Sequence, residues 1–263
     1  NRDLKSENLN SFQFASLHEF KCKLSDEDNY AKKAMAFLKY RSYAKKVINE
    51  GQYDFIIVLH TLPAVLLLST LKKRFKNQYI LDYRDSTYER FPLFQKWINS
   101  IVASSRYVFV SSDGFRRYLP DEFSNKIFTS HNLLEDSLNH RNDKLKYGNS
   151  SEKVRVAFWG FIRHRDINYQ IIRRFGNDDR FELHYYGREQ ETALALKEFA
   201  SKNGYKNVFF HGEYLPEDRY QFILKTDLIH NIYYDENTMT AMGNKYYDGI
   251  VFGIPQLCMQ GSF

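Results

Sequence analysis

Short apolar runs, each closing on a glycine or a polar cluster and each followed by a longer amphipathic stretch, recur along most of this chain. Such a pattern restricts the fold to strands linked by helical crossovers, because parallel strands need a connection of a dozen or more residues. In the first half, Phe55–Leu59 is continuously apolar, as expected of a strand buried on both faces. A helix is predicted over Pro63–Phe75, a strand over Tyr79–Leu81, a helix over Leu93–Ala103 and a strand over Tyr107–Val110. Ser111-Ser112-Asp113 caps a short helix reaching Tyr118, and Lys126–Thr129 is a further short strand.

From Glu135 to Glu152 the chain turns polar and holds Gly148, the composition of a linker. The alternation then restarts. Strands are predicted at Val154–Trp159, Phe181–Tyr186, Val208–His211 and Leu228–Ile232. Helices are predicted from about Asn168, over Glu189–Lys202 and over Glu217–Lys225. Alternation on both sides of a linker predicts an α/β protein of two doubly wound, Rossmann-like domains facing a cleft, residues 1–140 and 141–263.

Composition narrows the classes. At 43% hydrophobic and 27% charged, the 263 residues are those of a soluble globular protein. The longest apolar run, Leu62–Leu71, holds Pro63, Ser69 and Thr70 and falls short of the ~18 residues needed to span a bilayer. Cys22 and Cys258 lie far apart without ligand spacing, so reduced thiols are expected and no metal. The net charge of +6 suits an anionic substrate or an anionic membrane surface, or is simply that of a lysine-rich exterior. The basic residues are dispersed without a nucleic-acid reading motif, so no nucleic-acid partner is expected. Neither G-x-G-x-x-G nor a Walker loop is present, which disfavours dinucleotide dehydrogenases and P-loop NTPases.

The candidate ligand groups follow from strand ends. Trp159-Gly160, Tyr186-Gly187 and His211-Gly212 each close a strand on glycine, where a ligand approaches the backbone of an open α/β sheet. Gly160 is followed by Arg163, His164 and Arg165, and guanidiniums suit phosphate contact; a solvated loop is the plainer alternative. Asn244–Pro255 reads as a helix stopped by Gly253, with Tyr247, Ile250 and Val251 as its apolar stripe and Asn244, Lys245 and Asp248 off it. An amide, an ammonium and a carboxylate near a helix start suit phosphate and sugar hydroxyls, unless Asp248 only pairs with Lys245. In the first half His60 follows one buried strand, and Asp82, Arg84 and Asp85 follow the next, so all are expected at one cleft. His60 is a candidate base or orienting group and Asp82 and Asp85 candidate acids, although Asp85 with Ser86 also reads as a cap. His131-Asn132 is a weaker candidate of the same kind.

In order and spacing, Tyr53–His60, Val156–Gly160, Glu182–Gly187, Asn207–Tyr214 and above all Asn244–Asp248 through Gly253-Ile254-Pro255 resemble GT-B glycosyltransferases of the bacterial surface-polysaccharide kind. The resemblance implies a metal-free hexosyltransferase-type enzyme. A nucleotide-sugar would be held by Gly160, Arg163, Gly187, Tyr214, Asn244, Lys245 and Asp248, with Asp248 on the ribose and Arg163 and Lys245 near the diphosphate. A saccharide or lipid-linked acceptor would meet His60, Asp82 and Asp85. A cytoplasmic protein with peripheral contact at an anionic inner membrane face is expected. Retaining members most often carry Glu-x7-Glu, whereas this chain has Thr240 and Asp248, which leaves the stereochemistry open. Members begin with a strand and glycine loop upstream of Asn1 and end on helices beyond Phe263, so a domain pair incomplete at both ends is expected. A non-hydrolysing epimerase type of nucleotide-sugar enzyme and a non-catalytic binding or scaffold protein are the rival readings.

Overall fold

The computed structural model describes residues 16–22, 28–141, 152–233 and 239–262. Two units divide the chain: one runs up to Val110 and takes in Phe115–Thr129, and the other comprises Ser111–Gly114 and the chain from Ser130 onward.

The first unit opens with α1 (Tyr30–Glu50), whose N-terminus is capped by Asn29 Oδ1 accepting from the Lys32 amide at 2.8 Å. Then follow β1 (Ile56–Leu59), α2 (Thr61–Arg74), β2 (Tyr79–Tyr83), α3 (Pro92–Ser104), β3 (Tyr107–Val110) and β4 (Ile127–Thr129). The four strands are parallel and lie in chain order. Their core joins alternate residues of β2 and β3 (Leu81, Tyr83, Val108, Val110) to Leu67 and Leu71 of α2 and Ile98 and Ile101 of α3, all buried.

One sequence expectation fails here, and one helix was not foreseen. Among the described residues strand β1 pairs only with β2, and within it only Val58 is buried; Ile57 and Leu59 are 63% and 57% exposed. An apolar run records side-chain type and cannot tell whether one face of a strand is covered or both. The longest helix, α1, has no counterpart in the reading above. It buries only Ala36 and Ile48, so its sequence lacks the continuous apolar stripe by which a helix is recognised.

The second unit begins with a short helix, α4 (Glu135–Asn139), inside the predicted linker. Residues 142–151 of that linker lie outside the described residues. Then come β5 (Val154–Trp159), α5 (Arg165–Phe175), β6 (Phe181–Tyr186), α6 (Glu191–Lys202), β7 (Val208–Phe210), α7 (Arg219–Ile223), β8 (Leu228–Asn231), α8 (Asn244–Phe252) and β9 (Gln256–Cys258). All five strands are parallel, in the order β7-β6-β5-β8-β9. One face buries Phe158, Leu183 and Tyr185 against Ile172 and Leu196. The other buries Ala157, Trp159 and Ile229 against Ile223, Val251 and Phe252. Helices on both faces of a parallel sheet are the doubly wound arrangement predicted from the alternation.

Helix α8 stops in a Schellman motif. Gly253 is left-handed at φ 63°, the Ile254 amide donates to Gly249 O at 2.9 Å, and Pro255 follows. Of the predicted stripe, Tyr247 and Val251 are buried but Ile250 is not, and the buried face takes in two charged residues instead. Ile250 is 59% exposed, whereas Lys245 and Asp248 are 5% and 4% exposed. Their burial is possible because aromatic rings and hydrogen-bond donors surround both charges.

Candidate functional site

In the second unit the chain runs outward from β5 through β6 to β7, then returns to lay β8 on the other side of β5. The ends of β5 and β8 therefore form the switch point at which open α/β sheets bind ligands. The three glycines stand in register around it. Gly160 N donates to Tyr186 O and Gly187 N to Gly212 O, at 2.9 and 2.8 Å. A Cβ on Gly187 would overlap the carbonyl oxygen of Gly160, so no other residue lets β5 and β6 end so close together.

The loop after β5 is held from inside. Asn168 Nδ2 donates to Arg163 O at 2.7 Å and to His164 O at 3.0 Å, while its Oδ1 lies 3.0 Å from His230 Nε2. Since that oxygen only accepts, His230 carries its proton on Nε2, and its Nδ1 accepts from the Ile232 amide. Burial together with the nearby Lys245 charge drives the His230 pKa down to about 3, so this histidine is a neutral strut.

Lys245, in the first turn of α8, extends into the switch point. Its ammonium lies 3.7 Å from the Phe158 ring centroid and 4.8 Å from that of Tyr233, and it donates to the Tyr233 hydroxyl. Desolvation brings its pKa down to about 7, with Asp248 opposing that shift and the Arg163 charge adding to it. Arg163 itself is exposed on the β5 loop, stacked on Phe161 at 4.6 Å. Two cations thus meet where the first amides of α8 add the positive end of a helix dipole. Asn244, the first residue of that helix, is exposed beside them.

Asp248 lies one turn further in. Trp159 donates its indole N–H to Oδ2 at 3.1 Å, and Arg219 of α7 stands 3.8 Å from Oδ1. Arg219 also donates to Ser137 Oγ and to the Tyr220 hydroxyl, each at 2.7 Å, which joins α4, α7 and α8 at one guanidinium. Desolvation raises the Asp248 pKa while Arg219 and Trp159 hold it down. The pairing with Lys245 expected of a surface carboxylate is replaced by this buried set. Tyr214 packs edge-on to Phe222 at 5.1 Å, close enough to Asp248 for the carboxylate to raise its pKa after burial has done so.

In the first unit, β1 and β2 bring His60 and Asp82 together: the His60 amide donates to Asp82 O at 2.9 Å. His60 is at φ 69° and ψ 158°, a backbone region otherwise nearly confined to glycine, and such strain concentrates at functional sites. Asp82 lies within β2, and its Oδ1 is 2.6 Å from Arg84 Nε. Asp85 is exposed on the following loop. That loop is anchored by Glu89, a buried carboxylate that accepts from Thr61 Oγ1 at 2.9 Å and from the Thr87 amide. Among the described residues no group of three or more His, Cys, Asp or Glu side chains could hold a metal ion.

No family model matches the chain, and no curated protein does. Solved structures do. Sucrose-phosphate synthase from Thermosynechococcus elongatus superposes with a TM-score of 0.62 at 14% identity, over 88% of this chain and 62% of that one. A glycosyltransferase from Rickettsia africae gives 0.60 at 13%, over 92% and 66%. HepE of Anabaena, solved with UDP-glucose, gives 0.57 at 14%, over 89% and 66%. The fold is GT-B. This chain spans under two thirds of the length of these GT-B proteins.

Within this GT-B chain, sequence reasoning singled out Lys245 and Asp248 but missed the groups that hold them: Trp159 as a donor, Arg219, Asn168, His230 and Tyr233. Trp159 stood at a glycine-ended strand and could have been flagged as an indole N–H needing a partner. Arg219 and Asn168 lie on helices among other polar residues, and nothing local marks them.

Proposed function

We propose that this chain is a glycosyltransferase that moves a sugar from a nucleotide-sugar donor to a saccharide or lipid-linked acceptor, in the building of a surface polysaccharide. The observation that carries this reading is the convergence of Arg163 and Lys245 on the switch point of the second sheet. Two cations and the start of α8 suit the charge that gathers on a departing nucleoside diphosphate. Gly160, with no atom close to where a Cβ would stand, leaves the backbone open to it, and Gly187 packs directly against Gly160. Asp248 is the proposed ribose contact, its carboxylate aimed by Trp159 and Arg219. Asn244 and Tyr214 flank the donor. His60, Asp82 and Asp85 serve the acceptor, with His60 orienting or deprotonating the attacking hydroxyl.

A thermal-shift panel of UDP-, GDP- and CMP-sugars on the full-length protein tests this reading. One nucleotide class should stabilise the protein, and Asp248→Ala should remove that shift. If no nucleoside diphosphate stabilises the protein, the donor site is misassigned.

A further inference from the structure

Helices α1, α2 and α3 enclose a groove of about 590 Å³ on the first unit, lined by Leu38, Val65, Leu66, Leu68 and Trp97 with Arg41, Lys72 and Lys73 at its rim. The apolar lining is open to solvent: Leu38 is 51% and Trp97 38% exposed, and Met35, one turn before Leu38, is 55% exposed. The three helices carry ten lysines and arginines and one acid, Glu50, a net +9 where the whole chain is +6. All the remaining sequence is therefore net negative, so the positive balance of this protein resides in these three helices, with Arg41, Lys72 and Lys73 at the groove itself. Arg41 Nε is buried there with no hydrogen-bond partner.

We propose that this groove docks the protein on an anionic phospholipid surface, with Leu38 and Trp97 entering the headgroup boundary and Arg41, Lys72 and Lys73 meeting lipid phosphates. A basic rim around an apolar floor matches that interface in both chemistries, because the cations gain from lipid phosphate while the apolar side chains leave water. Tryptophan is at home at such a boundary, where its ring is buried and its N–H stays wet. A nucleic acid would meet the same charges but would leave the apolar floor without a partner. The inference does not depend on glycosyl transfer.

The test is sedimentation of the full-length protein with vesicles of phosphatidylcholine alone or with about 30% phosphatidylglycerol, the anionic component being the variable. Binding to the anionic vesicles alone is expected, weakened by high salt. Leu38→Asp, and separately Lys73→Glu combined with Lys45→Glu one turn beyond Arg41, should each reduce it by roughly tenfold or more. Trp97 supplies a readout without mutation. Of the two tryptophans Trp159 is 3% exposed, so quenching of fluorescence by brominated acyl chains reports Trp97. Equal binding to neutral and anionic vesicles would overturn the proposal, as would binding without acyl-chain quenching or binding unaltered in both variants. Displacement of the vesicles by stoichiometric soluble polyphosphate would reassign the surface as a general polyanion site. A dimer that Leu38→Asp dissociates, with no vesicle binding, would reassign it to a second copy.

Discussion

Trp159 donates its indole N–H to Asp248 across 3.1 Å, tying the end of the central strand β5 to the interior of helix α8. Both groups are almost wholly buried, at 3% and 4% exposure. The same bond holds the helix that carries Lys245 against the switch point, so stability and the proposed donor contact meet in one carboxylate.

Asp248→Ala leaves the indole N–H and the Arg219 guanidinium without their acceptor. Urea unfolding should show a loss of about 1–3 kcal/mol. Asp248→Asn keeps an acceptor for Trp159 and should lose less. Equal stability of wild type and the alanine variant would mean that the bond is not formed in solution.

Lys245 has a folded pKa near 7, below its unfolded value of about 10.5. The unfolded chain then binds more protons between those values, so this group makes stability rise with pH across that window. Below pH 7 its burial cost is present in full. Lys245→Met should therefore be as stable as wild type or more so at pH 7, yet bind nucleoside diphosphate more weakly. A bound diphosphate favours the ammonium, so affinity should fall by up to roughly tenfold per pH unit above 7. Calorimetry at pH 8 in two buffers of different ionisation enthalpy should detect proton uptake on binding.

His230, with a folded pKa near 3, acts at the other end of the scale. Its neutral form is required in the fold, so its contribution is intact above its unfolded value of about 6.5 and is lost as pH falls toward 3. Burial also lowers the pKa values of His184 and His211, which lie 2.9 Å apart, and these add in the same direction. Melting temperature should drop steadily from pH 6.5 downward, and His230→Gln should flatten that slope while lowering stability at neutral pH.

His60 stores strain in its backbone at φ 69° and ψ 158°. His60→Gly relieves it and should be more stable than His60→Ala by about 1 kcal/mol, since glycine alone adopts this region freely. Both variants should lose transfer activity while nucleotide-induced stabilisation persists. A loss of that stabilisation would move His60 to the donor side.

Gly187→Ala sets a methyl group against Gly160 O. The ends of β5 and β6 must then separate, and a destabilisation of about 1–3 kcal/mol is expected by denaturant titration. Gly212→Ala, at φ 77° with no atom near its added carbon, should cost about 1 kcal/mol of backbone strain.

The strand–helix alternation, the glycines closing β5 and β6 and the Gly253-Ile254-Pro255 helix stop were legible in the sequence because each depends on a local rule of spacing or backbone geometry. So was the placing of Lys245 and Asp248 at a helix start. Strand order, the exposure of Ile57 and Leu59 on β1, and helix α1 could not be read that way. Those features depend on which surface packs against which. The burial of Lys245 against Phe158 and of Asp248 against Trp159 is of the same kind, for their partners lie 87 and 89 positions away. A sequence records that a side chain is charged. Only the tertiary structure decides whether water or an aromatic ring surrounds it, and that choice moved Lys245 from an ordinary surface cation to one that titrates near neutrality.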